Sequence, residues 1–324
     1  LYGLIVSLSF VLENLLSFLY LSRRIGLRLR HLQLRSHVKG VFLAFLIANI
    51  SLLYVQTDKI MLGLLLSESA VATYTIPNYI VTSIYNIVIS LFVVAIPRLN
   101  SLFGKSKSEY EALFNELSRA FLMVFIPLLF FVFISAEDLI IVYAAGKYND
   151  CILPLKLFTI AIFFNALVFI QREGILYISE KEKIIIRYNL LGGILNLVSN
   201  FVLYFLGLFK PVTAIITLTG SFLLVSILMQ YYIKRRMKEK VRLFSRNLLS
   251  YFLFSLPVIG IDYLLGLTNM ARLLRLILSL LLFAGVYLSL LLLCKDQVLI
   301  NNMRTSLKKI RTYFENKKRI STGQ

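Results

Sequence analysis

The feature that most constrains this chain is a charge rhythm. Long apolar runs alternate with short polar connections, and every second connection is crowded with Lys and Arg. A helix needs ~20 apolar residues to cross the ~30 Å hydrocarbon core of a bilayer. In lipid every backbone N–H and C=O must find a partner inside the protein, and a helix supplies one within its own segment. The expected fold is therefore all-α, a polytopic transmembrane helix bundle. Hydrophobic residues make up 59% of the 324 residues, above the ~45–50% of an ordinary soluble domain. The excess recurs along the whole length, which excludes one large soluble core.

Nine spans are read: Tyr2–Leu21, Gly40–Leu66, Ala70–Ile96, Leu117–Ser135, Cys151–Tyr177, Ile184–Leu208, Val212–Ile233, Leu248–Leu267 and Leu274–Cys294. Arg23–Lys39 holds six Lys/Arg, Arg98–Glu116 three, Glu180–Arg187 three, Lys234–Arg246 seven and the tail after Cys294 eight. The opposite connections are nearly bare. Ser67–Ser69 has none, Ala136–Asp150 has Lys147 and Phe209–Pro211 has Lys210. Thr268–Leu273 fits less well, with Arg272 in it and Arg275 just beyond. The positive-inside rule places the basic set, and the C-terminus, in the cytoplasm.

The formal net charge of +19 is accounted for by orientation and by attraction to anionic headgroups, so nucleic acid is not an expected partner. In the tail, Ile300, Met303, Leu307, Ile310 and Phe314 recur at helical spacing among Arg304, Lys308, Lys309 and Arg311. That pattern suits either a helix lying on the membrane surface or a mobile basic tail. Cys151 and Cys294 fall at opposite faces, and no metal-ligand spacing exists. His31 and His37, the two histidines, sit in one basic loop. No phosphate-cradling Gly loop occurs. No metal, cofactor or catalytic constellation is expected, and the chain is not read as an enzyme.

Polar groups at membrane depth are costly when unpaired, and here they form stripes. Ser51, Tyr54 and Asp58 share one face of the second span, while Asn49, Gln56 and Lys59 form another. Asp58 and Lys59 stand about 100° apart on a helix and so cannot pair along one face. The third span carries Tyr74, Asn78, Thr82, Tyr85 and Asn86. The fifth has Asn165, Gln171, Arg172 and Glu173, and the sixth Asn189, Gly192, Gly193, Asn196 and Asn200. The seventh has Thr213, Thr217, Gly220 and Ser221. Two readings stand open. Small and polar residues let helices approach and hydrogen-bond, or the stripes line a water-filled cavity. For Asp58 and Arg172 the alternative to a cavity is a position near a span end, within reach of headgroup water. Glu13 and Asp262 are further acids within spans. Pro77, Pro127 and Pro257 fall inside spans, where a break frees carbonyls and permits bending.

The run Gln56-Thr57-Asp58-Lys59-Ile60-Met61-Leu62-Gly63, followed by Glu68 and Tyr74, resembles the second half of Wzx-type oligosaccharide flippases of the MOP exporter superfamily. Pro97-Arg98, the Asn189–Asn200 face and the Lys234–Arg236 run agree more loosely. Val212-Thr213 departs from the family's usual Gly-Ala pair. The resemblance aligns the nine spans with helices six to fourteen of about fourteen, and so implies a fragment, inactive in transport without a further half. It divides the chain at 1–39 (a first-lobe helix and basic linker), 40–233 (a six-helix second lobe), 234–295 (a basic loop and two added helices) and 296–324 (the basic tail).

The resemblance also implies a substrate, an undecaprenyl-pyrophosphate-linked oligosaccharide flipped from the inner to the outer leaflet of the bacterial cytoplasmic membrane. A proton or sodium gradient would drive it, alongside other polysaccharide assembly proteins. Such a head group needs hydroxyl, amide and aromatic partners, for which Asn78, Tyr85, Asn189, Asn196 and Asn200 are the candidates. The pyrophosphate needs cations, for which Arg172 and Lys59 stand. Asp58 is the candidate for ion coupling or gating. The alternatives are a multidrug exporter of the same superfamily, a membrane glycan polymerase or transferase, and an assembly scaffold. The short Ala136–Asp150 connection argues against a polymerase.

Overall fold

The computed structural model describes residues 2–24, 38, 40–42, 45, 52–237 and 246–300. The His31/His37 loop and the tail stripe beyond Ile300 lie outside the described residues. The chain divides into two compact units, Leu1–Leu46 and Ile47–Gln324. The first holds α1 (Tyr2–Arg24), on which Glu13 is exposed.

The second unit is a helix bundle, and the described residues contain no strand. In order it contains α2 (Leu52–Leu65), α3 (Glu68–Val93), α4 (Ile96–Phe103) and α5 (Lys107–Ile134). Then come α6 (Ala136–Ala144), α7 (Ile152–Gln171), α8 (Glu182–Phe205) and α9 (Pro211–Tyr232). Last are α10 (Arg246–Ser255), α11 (Pro257–Gly266) and α12 (Arg272–Leu293). Seven helical stretches among the described residues are long and apolar enough to cross a membrane, and they coincide with the third to ninth spans read above. The protein is an all-α, multi-pass membrane bundle.

Local chemistry sets the helix ends. Ser67 caps α3 by accepting from the Ala70 N–H, and Ser106 caps α5 by accepting from Glu109. Each satisfies an N–H that lacks an intrahelical partner. Pro211 opens α9 at a position where its missing N–H costs nothing. The prolines inside spans behave differently from one another. Pro77 and Pro127 ride within continuous helices, whereas Pro257 divides the eighth span into α10 and α11. Two boundaries differ from the sequence reading. The basic connection before the fourth span ends at Ser106, because Lys107–Glu116 already belongs to α5. The Ala136–Asp150 connection folds as α6 and a short 3-10 turn.

α7 is the central rod, packed against α3, α5, α6 and α9. Its α-helix gives way to a π turn at Arg172–Leu176. A π turn releases a carbonyl from the regular ladder, and the Tyr110 hydroxyl donates to the Gly174 oxygen at 2.7 Å. A Cβ at Gly174 would stand 2.6 Å from Phe114, so only glycine lets the ring close over the turn. Around it Phe92 meets Phe114, Phe121 and Phe169 edge-on.

Candidate functional site

The polar stripes of α2, α3, α8 and α9 converge on one buried carboxylate. Asp58 is fully buried. The Tyr74 hydroxyl donates to its Oδ2, and the Asn196 and Asn200 amides donate to its Oδ1, each at 2.7 Å. The Thr217 hydroxyl on α9 donates to Asn200 Oδ1 at 2.6 Å. Four helices are thus tied at one point by neutral donors. No Lys or Arg pairs with Asp58 among the described residues. Asn196 Oδ1 is buried without a partner.

The close approach of α8 makes this convergence possible. A Cβ on Gly192 would stand 2.5 Å from Val225 and 2.7 Å from the Tyr54 hydroxyl, so a glycine is required where α2, α8 and α9 meet. The Tyr54 hydroxyl donates to the Asn189 carbonyl, and the Asn189 amide turns back to Ile185 O at 2.8 Å. Asn189 is therefore a helix-packing residue in this arrangement.

On the neighbouring face of α2, Lys59 borders a cavity of about 370 Å³ between α2, α3, α7 and α9. Asn78, Thr82, Tyr85, Asn86 and Asn165 give it polar walls, and Phe158 and Phe222 give it apolar ones. Lys59 is the single charged residue of this lining, and its ammonium lies over the Tyr79 ring at 5.1 Å. Phe158 packs edge-on against Tyr74 at 4.9 Å, and Phe222 lies tilted against Tyr54 at 5.4 Å. Through Phe158 the cavity thus borders Tyr74, one of the donors to Asp58.

The structure therefore sorts the residues nominated from sequence into groups. Lys59, Asn78 and Tyr85 share the cavity. Asp58, Asn196 and Asn200 form the buried cluster beside it, with both asparagine amides committed to the carboxylate. Arg172 does not line the cavity. Its Nε pairs with Glu173 at 2.8 Å, and its guanidinium lies 5.8 Å from the Phe169 ring, which in turn meets Tyr85. Tyr74 and Thr217 are not among the nominated residues, although both stand in the stripes. Their signal is a hydroxyl at helical spacing, and what hides them is that their partner lies on another helix. No cluster of three or more His, Cys, Asp or Glu that could hold a metal occurs among the described residues.

This arrangement is a polytopic helix bundle with a polar cavity beside a buried carboxylate. Residues 2–153 match the family described as "Polysaccharide biosynthesis protein". Comparison with curated proteins finds no match. Among solved structures the chain superposes on the lipid II flippase MurJ in an inward closed conformation. The TM-score is 0.63 and the identity 14%, over 82% of this chain and 56% of that one. The chain thus spans little more than half the length of that protein. The family match thus covers residues 2–153, and the likeness to the solved flippase is one of fold, over most of the chain.

Proposed function

We propose that this protein contributes a lobe to a flippase that carries a lipid-linked oligosaccharide across the bacterial cytoplasmic membrane for surface polysaccharide synthesis. Its C-terminus lies in the cytoplasm, and the lipid is undecaprenyl pyrophosphate. Residues 40–233 form the second lobe. The observation that carries this reading is the cavity of about 370 Å³ at span depth, with one cation, several amides and a tyrosine, set beside a buried carboxylate. Asn78, Asn86, Asn165 and Tyr85 offer donors and an aromatic face to sugar, and Lys59 offers charge to phosphate. The lipid tail stays in the bilayer. No bond is made or broken, so the protein is a transporter and not an enzyme. Alternating access comes from rocking of lobes about the site.

Asp58 is the coupling residue in this reading. Amide oxygen and nitrogen exchange places on a half-turn about the terminal torsion. Turned so, Asn196 and Asn200 would offer oxygens beside Asp58 and near Thr217, an all-oxygen set that suits a hard cation. A proton on Asp58 would serve the same role. Either ion loosens or tightens the joint between α2, α3, α8 and α9, which are the helices lining or flanking the cavity. The test is complementation of surface-polysaccharide export by Asp58→Asn. Export should fall at least tenfold and lose its response to external sodium and pH, with unchanged protein in the membrane. Normal export with the usual ion response removes Asp58 from the mechanism.

A further inference from the structure

The faces of α7 and α9 turned away from the polar cavity border a second, separate groove. With about 100° per residue, Phe164 and Leu167 of α7 stand roughly 140° around the helix from the cavity-lining Phe158, Ala161, Ile162 and Asn165. On α9, Leu223, Ile227 and Tyr231 are similarly displaced from Leu218 and Phe222. These outward faces border a groove of about 260 Å³ that ends at Lys234.

The groove is graded along its length. Leu223 and Ile227 are exposed apolar side chains within it. Ser226, Gln230 and Lys234 follow one another at four-residue steps, about 6 Å apart along the axis, and all three line it. The buried Gln171 amide reaches Ser226 Oγ at 3.4 Å and the Gln230 side-chain carbonyl at 3.3 Å. Gln230 is thereby held by its oxygen, and its own amide N–H groups stay available as donors. Gln171 Oε1 is buried with no partner. Above this stripe, the π turn Ile233–Met237 presents Lys234, Arg235 and Arg236, all exposed. None of the three has an acidic partner among the described residues.

We propose that this groove binds one anionic glycerophospholipid of the bilayer. Its phosphate sits on Lys234, with Arg235 and Arg236 adding to the positive field around it, its glycerol ester reaches Gln230, and an acyl chain lies along Phe164, Leu223 and Ile227. Charged N–H donors suit a phosphate oxygen, and a basic pocket between membrane helices selects net negative headgroups. A zwitterionic lipid has the phosphate but brings its own cation, so it gains no net attraction. A polyprenyl pyrophosphate shares the anionic-lipid chemistry. The groove's position, on the opposite faces of α7 and α9 from the cavity, assigns it to a structural lipid instead. The inference needs only that the bundle spans a membrane, and it stands whether or not the transport reading holds.

The sequence contains no tryptophan, which makes a direct test simple. Tyr231→Trp places one fluorophore at the groove mouth and Leu223→Trp one deeper, while Leu190→Trp, exposed on α8, is the control. The full chain carrying each is reconstituted in vesicles of phosphatidylcholine with brominated phosphatidylglycerol, or the converse. Quenching of the two groove fluorophores should show a preference of roughly fivefold for the anionic lipid, with none in the Leu190→Trp control. Adding Lys234→Gln, Arg235→Gln and Arg236→Gln should abolish it. High salt should weaken it. Equal quenching by both lipids in all three variants overturns the proposal. So does a preference that survives the triple substitution, or displacement of phosphatidylglycerol by equimolar undecaprenyl pyrophosphate, which would make the groove a substrate site.

Discussion

Asp58 and Asp138 are two buried carboxylates in one helical unit, and they are satisfied by opposite means. Asp58 accepts from a tyrosine and two asparagines and meets no cation among the described residues. Asp138, on α6, pairs with Arg272 at 2.9 Å and Arg275 at 3.0 Å, both from α12. Arg275 continues to Asp262 on α11 at 3.2 Å, and Ser135 donates to that same carboxylate. The two arginines that disturb the charge rhythm at Thr268–Leu273 are thus balanced by acids at their own end of the bundle. The contrast has a physical lesson. A carboxylate held by cations is neutralised whatever else happens, and its role is to fasten the last two helices. A carboxylate held only by neutral dipoles keeps the capacity to take up a positive charge.

Breaking the cationic clasp should have the larger effect on stability. Asp138→Ala removes the acid that Arg272 and Arg275 share and leaves each with one more distant partner, Glu137 and Asp262. Losing one partner of a fully buried pair costs ~3–5 kcal/mol, and the partial exposure of Arg272 and Arg275 reduces this to about 2 kcal/mol. Thermal unfolding in detergent measures it. Adding Arg275→Met should recover part of the loss, and a neutral Asp138→Ala would show that the clasp does not hold α12.

Asp58→Asn tests the other side of the contrast. Its oxygen can still accept from Asn196 and Asn200, but its N–H₂ then faces the Tyr74 hydroxyl, whose proton loses its acceptor, and leaving a buried donor unmade costs about 1–2 kcal/mol. The exchange Asp58→Asn with Asn196→Asp should restore most of that stability, because the pair keeps one acceptor group among the same donors. If the exchange also restores export, the position of the carboxylate matters less than its presence. The smallest effect belongs to Tyr74→Phe, which deletes one of three donors. Hydrogen bonds between membrane helices average about 0.6 kcal/mol and reach about 1.7, so a Tm shift of a few degrees or less is expected. A loss as large as that of Asp138→Ala would mean that Tyr74 alone holds the carboxylate.

A third region adds a useful contrast within the candidate site. Arg172 and Lys59 look equivalent in sequence as cations at span depth. In the fold Arg172 is committed to Glu173, the next residue in the chain, while Lys59, among the described residues, has an aromatic ring beneath it and no acidic partner. Arg172→Ala in export assays should therefore act mainly through the π turn that it opens, and less severely than Lys59→Ala. The reverse order would return Arg172 to the head-group site.

Much of the site was legible before the fold was known. The stripes on α2, α3, α8 and α9 named Asp58, Asn78, Tyr85, Asn196 and Asn200 because polar side chains at four-residue steps share a helix face. On α2 the two faces already stood apart, Tyr54 and Asp58 on one and Gln56 and Lys59 on the other, but the stripes did not say which neighbouring helix each face would meet. Lys59 and Asn78 went to a cavity, and Asp58, one residue from Lys59, went to a buried cluster. That division depends on how α2 is rotated against α8, which Gly192 permits and no single-helix pattern encodes. The partner of Arg172 was adjacent in sequence, yet the π turn that brings Glu173 to it has no clear sequence mark.

By itself the sequence determined that this chain is a bundle of membrane-crossing helices, where most of those helices begin and end, and which residue types gather in stripes. Those properties follow from the solvent, because lipid penalises every exposed backbone dipole and every unpaired charge, and the penalty is written into each segment separately. Only the tertiary structure decided which acid meets a cation and which meets neutral amides. Those choices arise between helices, where a shift of one turn or a single missing Cβ changes the partner without changing the pattern.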